Sequence, residues 1–288
     1  MYRFMHDQTV RLMNQGYTST EISNMLDLPP SLAQEFYNRD YYGTVSHNVR
    51  AVYNFYLGFF DGVPANLNPQ EPEVRGRKMM ALAGGPDGLL RQGETAMEAG
   101  DYRWASELLN HYVFAHPKHK QARALLADAY EQMGYQAESG PWRNFYLTGA
   151  QELREGVVKG GSVRTASQDV VSSVPTGMFL DFMAVRFNPE GLDDVEVKIN
   201  LNFTDTKEKF VLSLDNSVLN NIANKQAKAP DASLTLTRAI FNEVAVGKTS
   251  FPKEIVKGNV KVGGNPLALM KVFGNLDEFN PDFNIVTP

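Results

Sequence analysis

Val195-Glu196-Val197-Lys198-Ile199-Asn200-Leu201-Asn202-Phe203-Thr204 alternates without a break. Every odd position is apolar and every even one polar. That period of two is the pattern of a β-strand with one buried face. A polar turn over 204–208 follows, and Phe210, Leu212 and Leu214 alternate as the return strand. Ala232, Leu234 and Leu236 make a third strand, and Val260 with Val262 a fourth.

Working outward, helices are interspersed among these strands. The pattern predicts helices over 177–186, over 216–224, and from Thr237, which can cap Ile240, Phe241 and Val244. A last helix opens at Asn265-Pro266, with Leu269, Met270, Phe273 and Leu276 on one face. The expected architecture for residues 174–288 is an open antiparallel sheet covered by helices, an α+β domain.

Upstream the character changes. Gly156–Ser173 is rich in Gly, Ser and Val, and residues 157–173 read as a linker. Residues 1–156 read as an all-α domain. Phe4, Val10, Leu12 and Met13 have helical spacing, and Thr18 with Glu21 fits a capping box. Leu28-Pro29-Pro30 ends that helix, and residues 44–60 form an aromatic stretch ahead of a loop at 61–72. Over 86–139, Gly93, Ala96, Gly100, Tyr102, Ala105, Ala115 and Pro117 match a tetratricopeptide unit, and Ala122, Ala127, Tyr130 and Gly134 make a weaker copy. Helical hairpins within a larger domain, or a partly tetratricopeptide-like scaffold that binds a peptide, both fit.

The 288 residues suit about two domains. Hydrophobic residues at 43% and charged at 21% are ordinary globular composition. A net charge of -5 gives no reason to expect nucleic acid, which calls for a surplus of Lys and Arg. With no cysteine there is neither a disulfide framework nor a thiolate metal site. No apolar run reaches the roughly 18 residues of a membrane span. Met1-Tyr2-Arg3-Phe4-Met5-His6 lacks the form of a signal peptide and reads like the middle of a helix, as if the chain began inside a longer protein.

The search for chemistry finds no self-contained active site. His116 and His119 flank Pro117-Lys118 and have no carboxylate nearby in sequence, so an exposed turn is expected, not a metal site. Asp193-Asp194 and Asp277-Glu278 fall in turns as solvated charge. No phosphate loop, nucleophile elbow or dinucleotide fingerprint is present. One cluster is dense in polar groups: Tyr41-Tyr42-Gly43-Thr44-Val45-Ser46-His47-Asn48. Its phenols, imidazole and amide could contact an anionic ester. Equally, Thr44 or Ser46 could cap a helix, with the tyrosines packed in an interface.

Residues 2–60, through His6-Asp7-Gln8-Thr9, Gly16-Tyr17-Thr18 and the 41–49 cluster, resemble the dimerisation region of bacterial alkyl sulfatases of the metallo-β-lactamase type. So does Tyr135-Gln136-Ala137-Glu138-Ser139-Gly140-Pro141-Trp142-Arg143-Asn144-Phe145-Tyr146-Leu147. Residues 174–288, with Gly258-Asn259-Val260-Lys261-Val262-Gly263-Gly264, look like that family's sterol-carrier-protein-like domain. The resemblance implies a sulfuric ester hydrolase built of three parts. Its zinc domain, with all the metal ligands, is missing from this sequence, so zinc is expected there and no metal or cofactor here. It implies a homodimer, an alkyl sulfate or other amphiphile as ligand, and a periplasmic or secreted location that composition leaves open.

Candidate residues follow from that comparison. Tyr41, Tyr42 or His47 would reach the family's active site. Met178, Phe179, Phe182, Phe241, Met270 and Phe273 would line an alkyl cleft, though in a domain of this size they are also the expected core. Tyr53, Phe55, Tyr56, Phe59 and Phe60 would be covered by a two-fold partner. The alternatives are a stand-alone lipid or amphiphile carrier without an enzymatic parent, and the peptide-binding scaffold.

Overall fold

The computed structural model describes residues 1–160 and 167–288. It divides into two compact units, Met1–Gly160 with Asp282–Pro288, and Gly161–Pro281.

The first unit is helical. Helices α1 (Tyr2–Met13), α2 (Ser19–Met25), α3 (Pro30–Ala33) and α4 (Val45–Leu57) come first. Thr18 and Glu21 form the expected capping box at α2: Thr18 Oγ1 accepts from the Glu21 N–H, and Glu21 accepts from the Thr18 N–H. Leu12, Ile22, Val49 and Tyr53 close a small core among α1, α2 and α4. Then come α5 (Pro72–Leu82), α6 (Pro86–Glu98), α7 (Tyr102–Ala115), α8 (Lys120–Gln136) and α9 (Gly140–Glu155). Three-to-four-residue connections make successive helices from α6 to α9 neighbours, and α5 also packs on α7.

Small residues mark the close approaches. A Cβ on Gly76 would lie 2.4 Å from the His111 carbonyl oxygen, and one on Gly93 would lie 2.7 Å from Leu109 Cδ2. Buried Ala96, Ala105, Ala122 and Ala127 fill the same core. Pairing of consecutive helices thus accounts for the small-residue pattern. The loop expected at 61–72 contains a 3-10 turn at Pro64–Asn66.

The second unit carries a five-stranded sheet: β1 (Val197–Phe203), β2 (Lys209–Asp215), β3 (Val218–Ala223), β4 (Ala232–Leu236) and β5 (Lys261–Gly264), in the order β3-β2-β1-β4-β5. Helices α10 (Gln168–Ser173) and α11 (Thr176–Arg186) precede it; α12 (Arg238–Ala245) and α13 (Phe251–Val256) sit between β4 and β5; α14 (Pro266–Phe273) follows. The alternating residues point as expected: Val197, Ile199, Leu201 and Phe203 are all buried, as are Phe210, Leu212 and Leu214. Thr237 accepts from the Ile240 N–H, and Asn265 Oδ1 from the Leu267 N–H, so both expected caps form.

Three expectations need correction. The sheet is mixed, because β4 runs parallel to β1 while every other pairing is antiparallel. Alternation records which face of a strand is buried, not the direction of its neighbour. The helix expected at 216–224 is strand β3. Asn216 and Ser217 both take positive φ, 50° and 63°, and bring Val218 opposite Asp215 in a two-residue hairpin turn. As an edge strand buried only at Leu219, β3 has no apolar alternation to announce it. The linker 157–173 is shorter than expected: Gln168–Ser173 is helix α10, whose Val171 joins the sheet unit's core, and 161–166 fall outside the described residues. At the other end, Asp282–Pro288 groups with the helical unit.

Candidate functional site

The two segments singled out in the helical half, 41–49 and 135–147, meet. Two caps first set the start of α4. Thr44 Oγ1 accepts from the His47 N–H at 2.9 Å, and Asp40 Oδ1 from the Val45 N–H at 3.3 Å. Burial pushes the Asp40 carboxyl above the usual range against the pull of the Val45 N–H, and the charge of Glu138 adds to the rise.

Helix α9 then closes on this turn. Its first residue, Gly140, donates to the Tyr41 carbonyl at 2.9 Å. Its capping residue, the buried Ser139, donates to the Tyr42 carbonyl at 2.6 Å and accepts from the Trp142 N–H. Arg39 pairs with Glu138 beside them. The Trp142 indole N–H donates to His47 Nδ1 at 3.4 Å. An indole can only donate, so neutral His47 carries its own proton on Nε2.

With the backbone of 41–42 engaged, the side chains are left outside. Tyr42 is 82% exposed, and its phenol is free to meet a ligand. Tyr41 is half-exposed, its ring between Phe36 at 5.1 Å and the Arg39 guanidinium at 5.4 Å. His47 is exposed. The segment is a capped helix start that leaves two phenols and an imidazole at the surface.

The aromatic stretch divides. Tyr53 is buried with Leu12, Ile22 and Val49, so it belongs to the chain's own core and not to an outer face. Phe55 is 80% exposed and Phe59 86%, the half-exposed Tyr56 hydrogen-bonds His6 Nε2 at 2.8 Å, and Phe60 is half-buried.

The six candidate cleft residues divide as well. Phe179 and Phe241 are core residues, in edge contact with each other at 5.4 Å. Phe273 is half-buried against that core, while Met178, Phe182 and Met270 are exposed. Sequence reasoning missed Phe251, which bridges Phe241 and Phe273 at 6.2 and 5.1 Å from helix α13, a six-residue element too short for a periodic signal.

His116 and His119 pack on Tyr112, and His119 Nδ1 accepts from the Ala122 N–H as the cap of α8. Among the described residues, no group of three or more His, Asp or Glu side chains is placed to hold a metal ion. No helix there is long and apolar enough to cross a membrane.

With this geometry in view, known proteins were compared. A family model described as alkyl sulfatase dimerisation matches residues 18–156, and one described as alkyl sulfatase C-terminal matches 164–288. A linear primary-alkylsulfatase from Pseudomonas sp. is 44% identical over the whole chain. An alkyl/aryl-sulfatase from Saccharomyces cerevisiae is 42% identical over the same 288 residues. The chain spans less than half of each of these relatives, 43% and 44%. The solved structure of a stereoselective inverting sec-alkylsulfatase from Pseudomonas sp. superposes with a TM-score of 0.93 at 40% identity, covering 99% of this chain and 45% of that one. Two adjoining family models and full-length identity above 40% lead to one conclusion: the chain belongs to the alkyl sulfatase family and carries its dimerisation and C-terminal regions.

Proposed function

We propose that this chain is the homodimer-forming and alkyl-chain-binding part of an alkyl sulfatase that hydrolyses alkyl sulfate esters. Hydrolysis and its zinc ions belong, in this reading, to a region outside these 288 residues. Among the described residues no group of His, Asp and Glu side chains is placed to hold a metal ion, and no catalytic step is assigned to this chain. Tyr41, Tyr42 and His47 would contribute from the rim, offering hydrogen bonds to a sulfate ester. The sheet unit, sterol-carrier-like in this reading, would take the chain's hydrocarbon tail. Each buried CH₂ contributes about 0.8 kcal/mol, so a tail of ten or so carbons is a substantial ligand.

The observation that carries the reading is the tip of α4. Phe55 and Phe59 stand in water within the segment matched by the dimerisation model. Paired large apolar side chains in that position are the mark of a covered interface. Sedimentation equilibrium should give about twice the 32.1 kDa chain mass, and Phe55→Ser with Phe59→Ser should return it to one. Calorimetry with decyl sulfate below its micellar concentration should show saturable binding by the dimer. A monomeric wild type would remove the dimer. A monomer that still binds the amphiphile would point instead to a stand-alone carrier.

A further inference from the structure

In the sheet unit, two polar side chains one helical turn apart on α12 are buried with an atom left over. Arg238 is 7% exposed and Asn242 6%. Arg238 Nη2 donates to the carbonyls of Val171 and Val174 at 3.2 and 3.3 Å, but among the described residues Nη1 has no partner. Asn242 Oδ1 has none either. Leaving a buried donor or acceptor unmet is costly, more so where the group is charged. Residues four apart on a helix share a face, so one small group can reach both.

The pair asks for an atom that accepts from a guanidinium and donates to an amide oxygen. A hydroxyl does both. A sulfate or carboxylate would satisfy Nη1 but meet the Asn242 oxygen as one acceptor against another. It would also lie near the charges of Asp205 and Glu208, both felt at Arg238, and Asp205 Oδ1 already accepts from the Arg238 backbone N–H at 2.8 Å.

The surroundings are aromatic. The guanidinium lies over the Phe179 ring at 4.9 Å, with Phe241 at 6.0 Å. From Phe241 a row of rings runs outward through Phe251 to Phe273, both half-buried, on whose helix Met270 is exposed. The row leads from the buried polar pair toward the surface, and an alkyl chain would lie along it by displacing ring contacts.

We propose that the sheet unit binds a long-chain primary alcohol, with its hydroxyl between Arg238 Nη1 and Asn242 Oδ1 and its tail along Phe241, Phe251 and Phe273. This rests on the reading of that unit as an alkyl-chain binder and narrows it to the head group. An alcohol is also what hydrolysis of an alkyl sulfate leaves on carbon: R–O–SO₃⁻ + H₂O → R–OH + HSO₄⁻. The site would therefore take the product rather than the substrate.

The test is calorimetric titration of the full chain with 1-decanol, decyl methyl ether and decyl sulfate. The ether can accept from Arg238 but cannot donate to Asn242. The expected result is that the alcohol binds about tenfold or more tightly than either, and shifts the Asn242 side-chain amide resonance. In Asn242→Leu, the alcohol and the ether should bind alike. Binding of all three without preference, tighter binding of decyl sulfate, or an unchanged preference in Asn242→Leu would overturn the proposal and leave a buried water only at the pair. Failure of every ligand to bind would sink the alkyl-binding reading of the unit and this proposal with it. The wild-type ligand series decides the point even if the variant does not fold.

Discussion

Glu254 sits at the start of α13 with its carboxylate enclosed by three donors. It accepts from Asn259 Nδ2 at 2.8 Å, Lys257 Nζ at 2.8 Å and Thr249 Oγ1 at 2.6 Å. These bonds hold its pKa down to about 2, against an ordinary 4.5. A carboxylate depressed on folding stabilises the native state fully above about pH 4.5. Below that the unfolded chain takes up the proton first, and the contribution fades until pH about 2. Glu254→Gln should therefore lower local stability at neutral pH and flatten its fall between those limits. Hydrogen exchange of the 249–260 backbone at a series of pH values checks this, and parallel curves for wild type and variant would refute it. Ser139 makes the opposite point about what a sequence reveals. Its cap on α9 is visible locally, but its bond to the Tyr42 carbonyl spans 97 residues. Both segments could be singled out by their residues, and nothing in their spacing said that they touch.

At the scale of elements, legibility followed how local the cause is. β1 and β2 could be read because one buried face imposes strict alternation, and α2, α12 and α14 because their caps are written in adjacent residues. β3 could not, since an edge strand buries little and its turn uses Asn216-Ser217 in place of a glycine pair. α5 has no clear apolar stripe: what brings it against α7 is the absence of a side chain at Gly76. That position is the sharper test of helix packing. The Cβ of Gly76→Ala would press on the fixed backbone oxygen of His111, whereas that of Gly93→Ala meets Cγ and Cδ2 of the buried Leu109, a side chain with more freedom to shift than a carbonyl. Overpacking costs about 1–3 kcal/mol, and replacing helical glycine by alanine returns about 1. Gly76→Ala should be destabilising by up to about 2 kcal/mol and Gly93→Ala by less. Urea unfolding followed by Trp104 and Trp142 fluorescence measures both, and equal midpoints for the two variants would show that the α5–α7 approach is looser than drawn.

At the scale of the whole molecule, the helical unit is not one continuous stretch of chain. The last seven residues belong to that unit together with Met1–Gly160. The carboxylate of Glu152, buried on α9, accepts from the backbone N–H of Ile285 and of Val286 at 2.9 and 3.0 Å. Val286 fills the space beside Gly149 and Tyr130, where a Cβ on Gly149 would come within 3.3 Å of it. No periodicity marks such a tail, since a strap held by two backbone bonds has neither the length nor the pattern of an element. Removing residues 282–288 leaves a buried carboxylate without its donors and opens an apolar gap. Together these should cost the helical unit about 2–4 kcal/mol. The chain supplies its own selective probe: both tryptophans and all twelve tyrosines lie in the helical unit, and residues 161–281 contain neither. Near-ultraviolet circular dichroism on heating, read in the tryptophan and tyrosine bands beyond phenylalanine absorption, thus follows that unit alone. The shortened chain should lose its aromatic signal at a lower temperature than the full chain, and Glu152→Gln should fall between the two, keeping one acceptor without the charge. If the truncated and full chains melt together, the tail is a passenger and the helical unit is complete at Gly160.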